Sequence, residues 1–533
     1  MIYKRIFSSF VAFALSTFAM AQLTESTNDW KSKDINADKT PGISLDLTYT
    51  KMIGDKKGKE IVVAVIDSGV DVEHEDLQGK IWINQGEVAG NGIDDDNNGY
   101  IDDIHGWNFI GGASGNVQYD NLEFTRIYKG LKDQFDGKSK DQVSSNEKED
   151  YARYVKMKDQ FNKRLDDAKN NYNEYLLIQK FFNLANKTLK DALGGKEFTV
   201  ENIQALPQGD EQFEAMKGIA IAGIEENLSV QLDDAIKHFR NSKNYSYNLN
   251  IDSREIVGDD YNDLKNRFYG NNSYQGPSAD HGTHVAGIIA ANRNNGIGAN
   301  GVANNAKIMV LRVVPDGDER DKDVANAIRY AADNGAKVIN MSFGKSYSPQ
   351  KVYVDEAVQY ASEKGVLLIH AAGNSSKNND KSNNFPNPVN EETRELCPTW
   401  IEVGASNFRT GLELPADFTN YGAKSVDVFA PGVDIYSTVP DNEYKKFSGT
   451  SMAAPVVAGL AALIWSYYPE LTAVDVKNIV VNSYGDYKKV KVMVPHNSEK
   501  GKKKKFKKLS RTGGIVNALN AFRMADQYQK SSS

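Results

Sequence analysis

Short apolar runs alternating with helical stretches set the fold of this 533-residue chain. Ile61–Ile66 is continuous and rich in β-branched residues, the pattern of a parallel strand buried on both faces. Lys307–Val314, Lys337–Met341, Val366–Ala371, Ile401–Gly404 and Val426–Phe429 repeat it. Between them, His281–Ala291 reads as a helix of small residues. Asp323–Asn334 places Ala325, Ile328 and Ala332 on one face and is stopped by Gly335. Val354–Glu363 continues the alternation, and Thr472–Asn482 and Gly514–Ala521 read as closing helices. Thr450–Tyr467 is apolar nearly all round, which predicts a helix buried at the centre. The expected class is α/β: three layers, a mostly parallel sheet flanked by helices. Sites in such folds form beyond the carboxyl ends of strands, where Asp67, Ser342 and Asn374 fall.

The segment 111–275 breaks this rhythm. It is rich in Lys, Asp, Asn and Tyr, and its apolar residues recur at helical steps. Phe161, Leu165, Ala168, Tyr172 and Tyr175 mark one helix within 151–177, and Phe213, Met216, Ile224, Leu228, Leu232, Ala235 and Phe239 a second within 210–239. An inserted α-helical subdomain follows, leaving 59–110 and 276–525 as the main domain, 22–58 as an N-terminal extension and 526–533 as a tail. The insertion is read either as a surface decoration or as a lid or regulator beside the site.

Residues 1–21 have the form of a secretory signal: Lys4 and Arg5, the apolar stretch Ile6–Ala19, and Ala19-Met20-Ala21 before a mature start at Gln22. Export to the periplasm or beyond the cell follows, with no integral membrane segment after its removal. Cys397 is the single cysteine, so an intramolecular disulfide is excluded and stability must come from the core or from bound ions. The net charge of −7 gives no ground for nucleic acid as partner. The lysine run within 488–508 is read as a solvated loop.

Three strings carry the chemistry: VAVIDSGV with Asp67, DHGTHVAG with His281 and GTSMAAP with Ser451. A serine hydroxyl needs a base to take its proton, and the base needs a carboxylate to fix its tautomer. In the order Asp, His, Ser these strings resemble the subtilisin-like (S8) serine peptidases. The resemblance runs over about 59–70 and 278–521 and implies a subtilisin-like fold with a long insertion between Asp67 and His281. It selects His281 rather than His284 as the base and assigns Asn374 to the oxyanion hole. Asn340–Gly344 matches the segment that pairs with substrate, so Ser342, Phe343 and Gly344 are the expected substrate-binding residues and polypeptides the expected partners of a monomer. The implied activity is that of an exported serine endopeptidase. A silent peptide-binding scaffold and a hydrolase of non-peptide acyl groups remain the alternatives. The loop 316–323, with four Asp and one Glu, is read as favouring basic substrate side chains or as a solvated turn.

A second constellation, Asp94 to Asp103, opens like a calcium loop. Asp94, Asp96 and Asn98 would offer side chains, Tyr100 its carbonyl, and Asp102 or Asp103 would complete a shell around a structural calcium ion. The twelfth loop position is His105 rather than a bidentate Glu, and an acidic surface turn is the alternative. His74, His105, His284 and His370 lack metal-ligand spacing and are read as structural.

Overall fold

The computed structural model describes residues 27–225, 227–496 and 501–532, so the leader expected over 1–21 lies outside the described residues. Among these, the main sheet has nine strands. In chain order they are β1 (Ile61–Asp67), β2 (Gly106–Asn108), β3 (Ala306–Arg312), β4 (Val338–Met341), β5 (Leu367–Ala371), β6 (Trp400–Ser406), β7 (Val428–Pro431), β8 (Gly485–Asp486) and β9 (Gly514–Ile515). Across the sheet they run β8-β9-β7-β6-β5-β4-β1-β3-β2, all parallel except β8 at the edge. The register sets Ile61 beside Ala306, Asp67 beside Arg312 and Ile66 beside Met341.

Alternate residues of each strand feed two separate cores. Val63 and Val65 of β1, Ile308 and Val310 of β3, and Leu367 and Ile369 of β5 face one side. There they meet α1 (Asp280–Ala290), α4 (Thr450–Tyr467), α5 (Ala473–Asn482) and α6 (Ala518–Ser532). Ala64, Ile66, Met309, Leu311 and Leu368 face the other side, against α2 (Asp321–Asp333) and α3 (Lys351–Glu363). A strand covered on both faces must be apolar throughout, which is why these runs read as continuous rather than alternating. Among the described residues, α4 alone is long and apolar enough to cross a membrane, and 89% of it is buried inside the protein.

One closing helix departs from the sequence reading. Gly514–Ile515 is not helical but joins the sheet, and α6 starts only at Ala518. Gly513 takes φ +62°, and the β-branched pair Ile515–Val516 then runs extended, with Val516 N–H donating to Phe429 O at 2.9 Å.

The inserted unit comprises Phe124–Ile251, while 111–123 and 252–275 fold with the sheet. Its longest helix, Lys148–Leu193, has 46 residues and extends well past the predicted range. Ala185, Leu189 and Leu193 pack with Ile203, Met216 and Ala220, and Phe182 packs with Ile219, Leu228 and Leu232. The stretch 210–239 is two helices, Glu211–Glu225 and Leu228–Asn241, because Asn227 sits in the left-handed region at φ +53°. Ile224, in the last turn before that break, is 41% exposed rather than part of the stripe.

The lysines Lys503–Lys505 form an exposed strand paired with Lys491–Met493. The N-terminal extension is part of the first core. Trp30, Ile43, Leu45 and Ile53 are buried in it, and Trp30 Nε1 donates to Val433 O at 2.9 Å. Trp30 is only 1% exposed, so Trp30→Ala should cost about 3–5 kcal/mol. Urea denaturation checks this, and a loss under about 1 kcal/mol would mean the extension is peripheral.

Candidate active site

β1 ends at Asp67, level with Arg312 at the end of β3 and one residue beyond Met341 at the end of β4. Val313 and Val314 N–H donate to Asp67 O at 2.9 and 3.2 Å as the chain leaves β3, and β4 runs on into Ser342–Gly344. The segments that leave β3 and β4 flank a slot beyond this strand end. Asp67, 1% exposed, lies at its base. α1 can begin close beside β1 because Gly282 has no side chain; a methyl group there would meet Gly69 O at 2.1 Å. His281 Nδ1 then lies 2.7 Å from Asp67 Oδ1, which also accepts from Ser68 N–H at 2.7 Å. A carboxylate only accepts, so the shared proton belongs to Nδ1 and Nε2 presents a lone pair. Burial works against a charged His281 ring, but the Asp67 charge and its hydrogen bond outweigh it and hold the ring above the ordinary histidine value.

His284, one turn on, is fully buried, stacks on Phe447 and reaches Lys445 O through Nε2 at 3.0 Å. Burial pushes it down to about 3, so it stays neutral. His74, His105 and His370 are also tied into the fold: His74 to Glu443 O and Asp76 N, His105 to Trp82 O, and His370 to Glu402.

Ser451 occupies the first turn of α4, where the N–H has no carbonyl behind it. Pro455 lacks the N–H that would bond Ser451 O four residues back. Ser342 Oγ takes that role at 2.9 Å, and is itself held by Asn340 Nδ2 at 3.0 Å. Ser451 Oγ returns a bond to Ser342 O at 2.9 Å. Among the described residues no hydrogen bond joins Ser451 to His281.

Asn374 follows β5. Its Oδ1 accepts from Thr450 N–H at 2.9 Å and Thr450 Oγ1 at 2.8 Å, and Gly373 N–H donates to Thr450 Oγ1 at 3.1 Å. This network fixes the amide so that Nδ2 faces away from Thr450. A methyl group on Gly449 would lie 3.4 Å from Asn374 Nδ2 and 3.5 Å from Ser451 N. Both nitrogens thus lie within 3.5 Å of one point beside Gly449.

Along the slot, Ser342 is buried, Phe343 is half-buried against the α2–α3 core, and Gly344 abuts Asn384, whose Oδ1 a methyl group at Gly344 would meet at 2.7 Å. On the opposite wall, Asp318 Oδ2 accepts from Glu123 N–H at 2.8 Å. Asp321 pairs with Lys345, and Asp323 with Arg254 and Tyr269. Burial pushes the Glu319 carboxyl up to about 8, with Lys345 opposing. Of the acids in this loop Asp316 is exposed, Asp318 half-buried and the rest buried, so the loop is neither a solvated turn nor a row of acids facing a substrate.

In the second constellation, Asp96 and Asp103 come together with Glu87, their carboxylate oxygens within 4.8 Å of one another. Asn98 Nδ2 donates to Asp96 at 3.2 Å and Asp103 at 3.0 Å, and Asn84 Nδ2 donates to the same two at 3.0 and 2.8 Å. Asp94 instead accepts from Asn98 and Gly99 N–H, and Asp102 from Gly90, Asn91 and Gly92 N–H. Burial pushes Asp103 up to about 6. The ring of Tyr100 is buried, and its N–H donates to Asn98 Oδ1 at 2.8 Å. Glu87 and Asn84 precede the acidic string, and no loop spacing marks them in the sequence.

The family model described as the subtilase family matches residues 58–514. A thermophilic serine proteinase of Bacillus sp. (strain AK1) is 46% identical over 188 residues, 35% of this chain and 43% of that protein. A cell wall-associated protease of Bacillus subtilis (strain 168) is 37% identical, with 44% of this chain and 24% of that protein covered. Subtilisin DY of Bacillus licheniformis is 39% identical, with 40% of this chain and 72% of that protein covered. The chain thus spans less than half the length of the first two.

The Asp67–His281 bond makes a prediction in solution. The His281 ring should titrate above the ordinary histidine value. A raised value means that the bond adds stability that is fully present below the unfolded histidine pKa and is lost as pH rises through the folded one. In Asp67→Asn only burial remains, and the ring should titrate below that ordinary value. Histidine NMR reads both; no difference between them would overturn the assigned bond.

Proposed function

The chain belongs to the subtilase family, and from that membership we propose that it is an exported serine endopeptidase acting on polypeptides. The 2.7 Å Asp67–His281 bond at the base of the slot carries this reading. His281 Nε2 takes the proton of Ser451 once the hydroxyl turns from Ser342 O. The serine oxygen attacks the peptide carbonyl, and the oxyanion sits between Ser451 N–H and Asn374 Nδ2. His281 then protonates the leaving amine, and water repeats the sequence to release the acid. Ser342, Phe343 and Gly344 offer an extended edge on which a peptide main chain can pair.

That Ser451 bonds Ser342 rather than His281 is the one observation favouring the silent scaffold. A fluorophosphonate probe separates the two readings. Labelling is expected on the parent and lost in Ser451→Ala; an unlabelled, folded parent would favour the scaffold. Asn374→Ala should lower turnover by about 10²–10³, the size known for the corresponding donor in subtilisin itself. An unchanged rate would remove Asn374 from the oxyanion site.

Export rests on the form of residues 1–21, and the matched Bacillus subtilis relative is named as cell wall-associated. The acidic loop supports a structural calcium ion. Glu87, Asp96 and Asp103 supply hard oxygens, and the amides of Asn84 and Asn98 now bridge carboxylates that otherwise repel. Such an ion would bind the folded state only. Chelation should lower the melting temperature, because an ion at about 100 times its Kd adds about 2.7 kcal/mol. Asp96→Asn with Asp103→Asn should abolish the difference; a chelator effect that persists in that variant would place the ion elsewhere.

A further inference from the structure

The two walls of the slot do not stay apart. Three residues past Ser342, the Lys345 side chain crosses from the β4 wall to the β3 wall. Its Nζ donates to Glu319 O at 2.7 Å and lies 2.8 Å from Asp321 Oδ1 and 2.9 Å from Glu123 Oε2. Lys345 and Glu123 are each 4% exposed, and Glu319 and Asp321 are each 2% exposed. The cluster is anchored on both sides. The Lys345 main chain pairs with Phe385 in both directions, at 3.0 and 2.9 Å. Asp321 also accepts from Ser348 Oγ at 3.0 Å and Gln350 N–H at 2.8 Å. A buried ammonium shared by two carboxylates and a carbonyl is costly to break, because each partner would be left charged or unpaired in the interior.

We propose that this cluster bolts the slot shut, so that a peptide is gripped by only about three residues on the acyl side of the scissile bond. The inference rests on the peptidase reading. Ser342 O lies 2.9 Å from Ser451 Oγ, so the acylated residue sits opposite Ser342. Ser342, Phe343 and Gly344 then face three substrate residues in turn, a span of ~10 Å at ~3.3 Å per residue. At the next position the Glu319 carbonyl is already taken by Lys345, and the substrate must leave into solvent. The bolt replaces a main-chain partner rather than narrowing a pocket, so it limits the grip on any sequence. Glu123, which supplies one of its carboxylates, is the last residue before the inserted unit.

The test measures kcat/KM for amino-terminally blocked peptide anilides with one to five residues before the anilide. The full mature chain is the enzyme, and fluorophosphonate titration of Ser451 counts active sites. The rate should rise to the third residue and change less than about twofold at the fourth and fifth, for want of new main-chain hydrogen bonds. A rise of about tenfold at the fourth residue, the worth of one or two such bonds, would overturn the proposal. Lys345→Met combined with Glu123→Gln and Asp321→Asn removes the ion cluster without stranding a charge. In that variant the ratio of the five-residue to the three-residue rate should climb about tenfold as the Glu319 carbonyl is freed. An unchanged ratio in a folded, titratable variant would also overturn it. If no peptide is cleaved and no probe reacts, the peptidase reading fails and the bolt falls with it.

Discussion

The burial of α4 on all sides is the constraint from which the site follows. The sheet covers one flank of the helix, and α1, α5 and α6 cover the rest. Leu460, Leu463 and Ile464 are fully buried, and each buried aliphatic side chain contributes about 1.5–3 kcal/mol. A helix held this firmly cannot slide or rotate, so Ser451 keeps one position relative to the strand ends. The same burial explains Pro455. A carbonyl freed in the interior must find a donor, and Ser342 supplies it. The bond that satisfies the helix therefore also locks the wall of the slot to the serine.

Charge is handled in two ways around this frame. At the site, one carboxylate faces one imidazole, and Asp67 Oδ2 has no hydrogen-bond partner among the described residues. Away from it, buried ions are shared among several partners. Arg254, Asp259, Lys322, Asp323 and Tyr269 form one such group, and Asp120 with Arg320 another. Both groups join chain flanking the insertion to the N-terminal end of α2, Arg320 being its N-cap. The two ends of a long excursion are thereby held on the sheet unit, whatever the inserted helices do.

The sequence reading was strongest where one-dimensional pattern and burial coincide. The strands at Ile61 and Leu367 and the whole of Thr450–Tyr467 were legible because residues covered on every side must be apolar in an unbroken run. It was weaker where a single backbone torsion decides the outcome, as at Gly513 before β9 and Asn227 between the inserted helices. Glu87 was missed because it joins Asp96 and Asp103 through space alone. The acids of 316–323 were misread because composition cannot tell a charge facing water from one paired with Lys345 or Arg254.

The sequence by itself determined the α/β alternation and the buried central helix, and pointed to Asp67, His281, Asn374 and Ser451, because periodicity and local strings are short-range properties of the chain. Tertiary structure alone decided which partners these residues meet: the hydroxyl of Ser451 on Ser342, the Asn374 amide turned by Thr450, and Lys345 drawn across the slot to Glu123, Glu319 and Asp321. Every one of these contacts joins residues far apart in the chain, from Lys345 and Asp321 to Lys345 and Glu123. Their energy depends on distance and burial in three dimensions, and no local pattern encodes either.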